Sequence, residues 1–340
     1  MKIIPNHLEK NSFKFWQIYL SLFSGYFPTN SRENYFDEGT DVHGYTFMET
    51  LSRVEGKDYL KTISVYQDAS TKKFIIKRLQ YKRKNIFYAQ LKNEANIIYL
   101  FSNKATEGPL PRVRFCQFVD FYEKKGDTYL IREFVSGDTL DKISEAEKLD
   151  YLKKCFTFLS IAKNSLTEKN RESIALRSNW LMIGSLPVYF MLALLKEVNL
   201  WKSLVISMVT FFRSFPYNTL FFPNYILTHR DLHLQNAIFT GDEVVIIDPE
   251  ICVFAEDGME LAMAAVSYKE NNGDTFLNLL LDRALSSGKN KKKFLAFSSY
   301  YILQELTLSK KGTDSYLNIK RYMATFNDTV ESLSKASPRD

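Results

Sequence analysis

The chain has 340 residues, 45% of them hydrophobic and 25% charged, with a formal net charge of +6. That length holds two modest lobes and a sizeable core, and the composition argues against a disordered chain outside the two ends. The mild charge suits an anionic ligand or an acidic membrane surface without demanding nucleic acid, and Cys116, Cys155 and Cys252, with no CxxC spacing, argue against a disulfide framework or a zinc site and fit a reducing compartment.

In chain order, Phe13, Trp16, Leu20, Phe23 and Phe27 recur at helical spacing, so residues 13–27 predict an amphipathic helix. Lys14 and Gln17 interrupt its apolar run and no small-residue cleavage site follows, which does not fit a secretory leader. The expected home is the cytoplasm, with the inner face of a membrane left open. The polar stretch PTNSRENYFDEGTD completes an N-terminal segment, 1–40.

From Tyr45 the texture changes to short strands. YTFMETLS, YLKTISVYQ and FIIKRL alternate and are separated by turns at Glu55-Gly56-Lys57 and DASTKK, which predicts an antiparallel meander. IFYAQLKNEANIIYLFSN predicts a helix ended by Gly108-Pro109. VRFCQFVDFY and TYLIREFV are two further strand candidates, joined at EKKGD.

Beyond Gly137 the pattern is mainly helical. Ser144 with Glu147 makes a capping box for a helix to about Leu166. Residues 179–227 are very apolar, and the uncharged run 178–195 reaches the lower limit for a spanning helix but carries Gly184, Ser185 and Pro187. The expectation is helices that are either packed on the lobe or set in an interface. In the second case Trp180, Tyr189, Trp201 and Phe211–Phe212 would anchor in lipid while Lys196, Lys202 and Arg213 face phosphates. More helices follow from about Met259 to Lys335, with KNKKK at 289–293 as a solvated helix start. The expected architecture is α+β and bilobal: a strand-rich N-lobe (41–135), a larger helical C-lobe (136–340) with an inserted helical block at about 170–227, and a cleft between them for ligands.

One stretch concentrates polar chemistry: HRDLHLQNAIFTGDEVVIIDPE, from His229 to Glu250. AIF and VVII flank a turn at Thr240-Gly241-Asp242, and a hairpin returns its ends to one place, so Asn236 and Asp248 should be neighbours. An amide carbonyl beside a carboxylate is a hard oxygen pair suited to Mg²⁺. Asp231, one loop earlier, is placed to take a proton from an attacking hydroxyl.

This stretch resembles the catalytic segment of the protein-kinase-like superfamily, in the HxDxxxxN…D form of its aminoglycoside phosphotransferase and choline kinase branch. The resemblance implies a bilobal kinase-like fold, ATP with Mg²⁺, Asp231 as the catalytic residue, and Asn236 and Asp248 as metal ligands. IDPE at 247–250 looks like the ID-x-E of the small-molecule branch, and EDGMELA looks like its D-P-x-x-D-L-A with Glu260 for the usual Asp. Upstream, Lys77 in FIIK and Glu94, seventeen residues on, match the nucleotide-binding pair. PLPRV at 109–113 is similar to the family's approach to its fourth strand. YLIREFVSGDTL is similar to the hinge, with Glu133 to Val135 offering backbone groups to adenine and Gly137 permitting the crossover.

The sequence departs from the family in two places. Gly56 stands alone where a glycine-rich loop is expected, so it divides evenly between a turn and phosphate cradling. The long gap between Glu133 and His229 holds the apolar block, where the branch builds its acceptor pocket. His229 is expected to brace the loop, His233 to be structural or near the acceptor, Arg230 to be structural or exposed, and Glu250 to bond to backbone or assist the metal. The implied activity is γ-phosphoryl transfer to a hydroxyl of a sugar, glycolipid or amino alcohol, with membrane contact through 13–27 and 179–227 and no nucleic acid. The alternatives are a catalytically silent scaffold of the same fold or, against the IDPE and the long insertion, a protein kinase.

Overall fold

The computed structural model describes residues 41–336 apart from 43, 57–58, 82–85, 103, 106–110, 125, 268–277, 279, 283 and 286–290. The expected N-terminal helix, Gly108-Pro109 and the first two residues of KNKKK lie outside the described residues.

Alternation and turn chemistry produce the meander. β1 (Thr46–Gly56), β2 (Tyr59–Gln67) and β3 (Lys73–Tyr81) pair antiparallel in sequence, and β6 (Asp127–Glu133) and β5 (Phe118–Lys124) complete a five-stranded sheet in the order β1-β2-β3-β6-β5. α1 (Ile86–Phe101) covers one face, where Leu91, Ala95 and Ile98 at helical spacing pack on Leu79 and Leu130. Phe74, Ile76 and Ile131 point to the opposite face, packed with Tyr66 and Tyr129.

VRFCQFVDFY is not one strand. It divides into β4 (Arg112–Phe115) and β5, which enter different sheets. β4 runs parallel to β10 (Glu243–Ile246) in a second sheet of order β4-β10-β9-β7, with β7 at Asp138–Thr139 and β9 at Ala237–Phe239. The Cys116 N–H still follows that second sheet by donating to the Ile246 carbonyl at 3.0 Å. The break between the strands therefore joins the small lobe to the β9–β10 hairpin. Gly137 is required at the crossover, because a Cβ there would lie 2.2 Å from the Phe239 carbonyl oxygen.

The rest is helical: α2 (Glu145–Ala162), α3 (Glu168–Glu172), α4 (Asn179–Lys196), α5 (Trp201–Ser214), α6 (Met259–Ser267), α7 (Lys291–Leu308) and α8 (Asp314–Ala336). Ser144 caps α2 by accepting the Glu147 N–H, as the capping box predicts. α4, α5, α6 and α8 pack around α7, which is buried nearly all round from Phe294 to Leu306. A short antiparallel pair, β8 (Tyr225–Thr228) and β11 (Val253–Glu256), holds the two ends of the segment 229–252 together.

The apolar block is amphipathic rather than wholly buried or wholly exposed. Tyr189 and Phe211 are core, not interface anchors, since each sits on the face that meets α7 and packs on Tyr300. The Lys196 ammonium turns inward onto the Leu306 and Thr307 carbonyls at 2.8 and 3.2 Å, so it does not face outward either. Trp180, Trp201 and Phe212 do lie on the exposed side, with Lys202 and Arg213. Lys293, expected to be solvated, pairs with the buried Glu256 at 2.7 Å.

Candidate active site

Strand register sets the first side chain. Lys77 shares the face of β3 that α1 covers, and Glu94 falls on the buried stripe of α1 between Leu91 and Ile98. Their ends meet: Lys77 Nζ donates to Glu94 Oε2 at 2.8 Å, with both side chains fully buried. The same ammonium lies 2.8 Å from Asp248 Oδ1 and 3.1 Å from Glu250 Oε1.

Two further cations complete the cluster. Lys61 on β2 is paired in register with Leu79, which puts it diagonally across from Lys77, and it holds the Glu250 carboxylate. Arg132 on β6 donates through Nη2 to Asp248 Oδ1 at 3.0 Å, while its Nε stands 3.8 Å from Glu94 Oε1. Three cations thus face three carboxylates. Burial alone would push the Lys77 pKa down, but Asp248, Glu94 and Glu250 outweigh it and hold it above the ordinary value. Burial would likewise raise Asp248, yet Lys77 and Arg132 pull it below the usual carboxylate range. Burial raises the Glu94 carboxyl against the pull of Lys77.

The hairpin does what its turn chemistry predicts. β9 and β10 return together, and the Ile247 N–H donates to the Asn236 carbonyl at 2.9 Å, which makes Asn236 and Asp248 near neighbours. Asn236 Nδ2 donates to the Asp231 backbone oxygen at 2.8 Å and to Asp231 Oδ2 at 3.3 Å. Glu94, Lys77 and Asp248 form one linked set and Asn236 with Asp231 another, and the Ile247 N–H on the Asn236 carbonyl brings the two close.

The loop is braced from behind. His229 Nδ1 accepts the Asp231 N–H at 3.3 Å and Nε2 meets the Ile247 carbonyl at 2.9 Å, a pairing that requires the neutral Nε2–H tautomer. Burial lowers the His229 pKa and favours that form. Glu260, in the first turn of α6, accepts the backbone N–H groups of His229 and Arg230, the latter at 3.3 Å. Arg230 and Asp248 both have left-handed backbone, at φ 67° and 57°, a strain that the surrounding bonds hold in place. His233 Nδ1 caps the next turn by accepting the Gln235 N–H at 3.2 Å, and its Nε2 lies 3.9 Å from Asp231 Oδ2. Asp231 itself stays 49% exposed in its side chain.

The donor set fits Mg²⁺. With Nδ2 committed to Asp231, Asn236 keeps its Oδ1 as a ligand. With Oδ1 committed to Lys77 and Arg132, Asp248 keeps Oδ2. Two hard oxygens suit a Mg²⁺ ion that takes its remaining ligands from phosphate and water. Among the described residues no group of three or more His, Cys, Asp or Glu is arranged to hold a metal ion.

Other expectations shift. The Glu250 side chain gives Oε1 to Lys61 and Lys77 rather than to backbone, because β2 and β3 present both lysines on one face. Its backbone carbonyl, with that of Cys252, is fastened by Asn93 Nδ2 at 3.0 and 2.9 Å, which ties α1 to the IDPE turn. Glu133 spends its N–H on the Gln117 carbonyl at 3.1 Å and its carboxylate on Arg114. Val135 packs partly buried against the cluster containing Cys116 and Val245. Gly56 ends β1 at the hairpin tip, paired with Tyr59.

Arg230 is the largest surprise: it is buried, not exposed. With Asp231 it lines a cavity of about 280 Å³ bounded by α6, α7 and α8. Sequence reasoning missed Lys61, Arg132 and Asn93 as partners. A signal existed for Arg132, a lone charge inside the apolar run YLIREFV. Lys61 and Asn93 carried none.

No family model and no curated protein sequence matches the chain. Solved structures do. A thermostable mutant of aminoglycoside phosphotransferase APH(4)-Ia, in a ternary complex with AMP-PNP and hygromycin B, superposes with a TM-score of 0.56 at 14% identity, covering 83% of this chain and 95% of that one. Spectinomycin phosphotransferase APH(9)-Ia, in complex with ADP and spectinomycin, gives 0.53 at 12% identity over 86% and 94%. The GDP complex of aminoglycoside 2'-phosphotransferase-IIIa gives 0.53 at 14% over 84% and 94%. The chain shares the bilobal α+β fold of these structures.

Proposed function

We propose that the chain is a phosphotransferase that moves the γ-phosphoryl group of ATP to a hydroxyl of a small molecule. The observation that carries this reading is the convergence of the linked set Glu94–Lys77–Asp248 with the pair Asn236–Asp231, joined where the Ile247 N–H donates to the Asn236 carbonyl. Glu94 steadies Lys77, whose ammonium serves the α- and β-phosphates. Asn236 and Asp248 hold Mg²⁺, which neutralises charge on the β- and γ-phosphates. Asn236 also fixes Asp231, and Asp231 takes the proton from the acceptor hydroxyl as that oxygen bonds to the γ-phosphorus. The bond to the β–γ bridging oxygen breaks, and ADP leaves. Positioning and electrostatics supply most of the rate. The neighbours solved with hygromycin B or spectinomycin support a small-molecule acceptor, and within that class we favour a sugar or glycolipid over an amino alcohol.

The test is a radiolabelled-ATP screen against sugars, amino alcohols, antibiotics and lipid extracts. Asp231→Asn should lower transfer by about 10²–10⁴-fold while Mg·ATP still binds. Transfer at the parent rate would refute the role of Asp231, and a parent that neither binds nor hydrolyses Mg·ATP would leave the silent-scaffold alternative standing.

A second reading concerns where the acceptor is met. α4 is long and apolar enough to cross a membrane by length and composition, yet only 28% of it is buried. Leu195, Phe221 and Phe222 are 77%, 71% and 82% exposed, Trp180 and Trp201 are exposed too, and the Trp180 and Phe221 rings lie 6.1 Å apart. Such a patch supports peripheral contact with a bilayer and thereby a glycolipid acceptor. Liposomes should sediment the protein, and Phe222→Glu should weaken that; no sedimentation of the parent removes this reading.

A further inference from the structure

Of the three cations in the cleft, Lys61 is the one the fold uses least. Lys77 is fully buried on Glu94 and Asp248, and the buried Arg132 is held by Asp248. The Lys61 side chain is 12% exposed, and among the described residues its one ionic partner is Glu250. Glu250 Oε1 already has the Lys77 ammonium at 3.1 Å, so a second ammonium on the same oxygen is more than that carboxylate needs. Strand register explains how it arrives there. Lys61 stands opposite Leu79, and Ile63 stands opposite Lys77, so Lys61 and Lys77 share one face of the sheet, one residue pair apart on it. Tyr59, next along that face, packs on Phe87 of α1 with ring centroids 4.2 Å apart, so this face of β2 turns inward.

Two ammonium groups on one carboxylate oxygen form a two-point site for anions, and the anion due beside Lys77 is a polyphosphate. Against burial, Lys77, Arg132 and then Lys61 hold the Asp248 carboxyl down, so the field of Lys61 reaches the residue offered to Mg²⁺. The neighbouring hairpin tip supplies little for phosphates. Gly56 is paired with Tyr59, and the two residues between them are too few for a loop that wraps phosphates in backbone N–H groups. Lys61, opposite Val54, lies two pairs in from that tip. A partly exposed pair such as Lys61–Glu250 holds only weakly against a ligand that carries several charges.

We infer that Lys61 is a second phosphate-binding ammonium. In the free protein it rests on Glu250, and with nucleotide bound it moves to the phosphates beside Lys77, in the place of a glycine-rich cradle. It favours a nucleoside di- or triphosphate over the nucleoside. That the ligand is a nucleotide rests on the phosphotransferase reading of the cleft.

Calorimetric titration of the full chain with adenosine, ADP and ATP, each with Mg²⁺, is the test. Lys61→Met keeps an aliphatic stem and should weaken ADP and ATP by at least about tenfold while leaving adenosine within about twofold of the parent. Lys61→Arg, which keeps the charge, should recover part of that loss. Glu250→Gln frees Lys61 and should bind ATP as well as the parent or better, and adding it to Lys61→Met should not restore binding. Parent-level ATP affinity in Lys61→Met, an equal loss for adenosine and ATP, or rescue by Glu250→Gln would overturn the inference. Rescue would show that Lys61 serves only to neutralise Glu250. Should Lys61→Met not fold, the double variant, which strands no charge, is compared with Glu250→Gln alone. Failure of both to fold would make Lys61 a structural cation and overturn the inference too. A parent that binds neither ADP nor ATP removes the phosphotransferase reading and this inference with it, whereas ATP binding indifferent to Lys61 removes this inference alone.

Discussion

Two buried clusters of positive charge flank Asp231, and they are balanced in opposite ways. In the cleft, Lys61, Lys77 and Arg132 face Glu94, Asp248 and Glu250, and each cation reaches a carboxylate oxygen within about 3 Å. In the C-lobe, Arg177 and Arg230 lie beside one fully buried carboxyl, Glu260, which is occupied with backbone N–H groups. The matched cluster is part of what holds the two lobes in register. The second is held mainly by neutral groups, with Arg177 on the Tyr300 hydroxyl and Gln304 and over the Tyr300 and Tyr301 rings. The physical lesson is that a buried charge earns a structural reading only when its partners are present.

The contrast can be broken at several points, in order of expected effect. Asp248→Ala removes both the proposed Mg²⁺ ligand and the group that Lys77 and Arg132 share. Mg·ATP affinity should fall by at least about 100-fold, beyond the 10–100-fold typical of outer-shell changes, as calorimetric titration would record. Unchanged affinity would contradict its role as ligand. Next, Lys77→Met strands the Glu94 carboxylate, which should cost about 3–5 kcal/mol in urea unfolding, whereas Arg230→Met should change stability by less than about 1 kcal/mol in either direction. The reverse order would show that Arg230, not Lys77, is the structural cation.

The smallest expected effect concerns pH. The Glu260 carboxyl has a folded pKa of about 7, above its unfolded value of 4.5, so the folded state binds more protons between the two. Its contribution to stability is intact below about 4.5 and declines as pH rises to about 7. Glu260→Gln keeps an oxygen to accept the loop N–H groups but cannot titrate. Its stability should fall less steeply over that window, by on the order of 2 kcal/mol relative to the parent. Parallel pH profiles for the two proteins would show that Glu260 stays ionised throughout.

Much of the candidate site was legible because its spacing is local. HxDxxxxN and the hairpin fix Asp231, Asn236 and Asp248 within one short stretch, and the turn at Thr240-Gly241-Asp242 brings the last two together whatever the remainder of the chain does. Lys77 and Glu94 were legible for a similar reason, one on an alternating strand and the other on the helix that follows it. VRFCQFVDFY was misread because alternation continues through Cys116 and Gln117 even though the hydrogen-bond partners change there from Ile246 to the small-lobe sheet. Nothing in period-2 patterning records which sheet a strand joins.

The sequence alone determined the meander, the capped helix α2, the catalytic hairpin and the kinase-like order of Lys77, Glu94, Asp231, Asn236 and Asp248. Only the tertiary structure decided that Lys61 and Arg132 share the cleft carboxylates, that Tyr189 and Lys196 turn inward while Leu195 and Phe222 face out, and that Arg230 is buried beside a cavity. Periodicity and turn chemistry act over a few residues, so they can be read along the chain. The balance of buried charge depends on groups more than a hundred residues apart, as Arg132 and Asp248 are, and exists only once the lobes have closed around it.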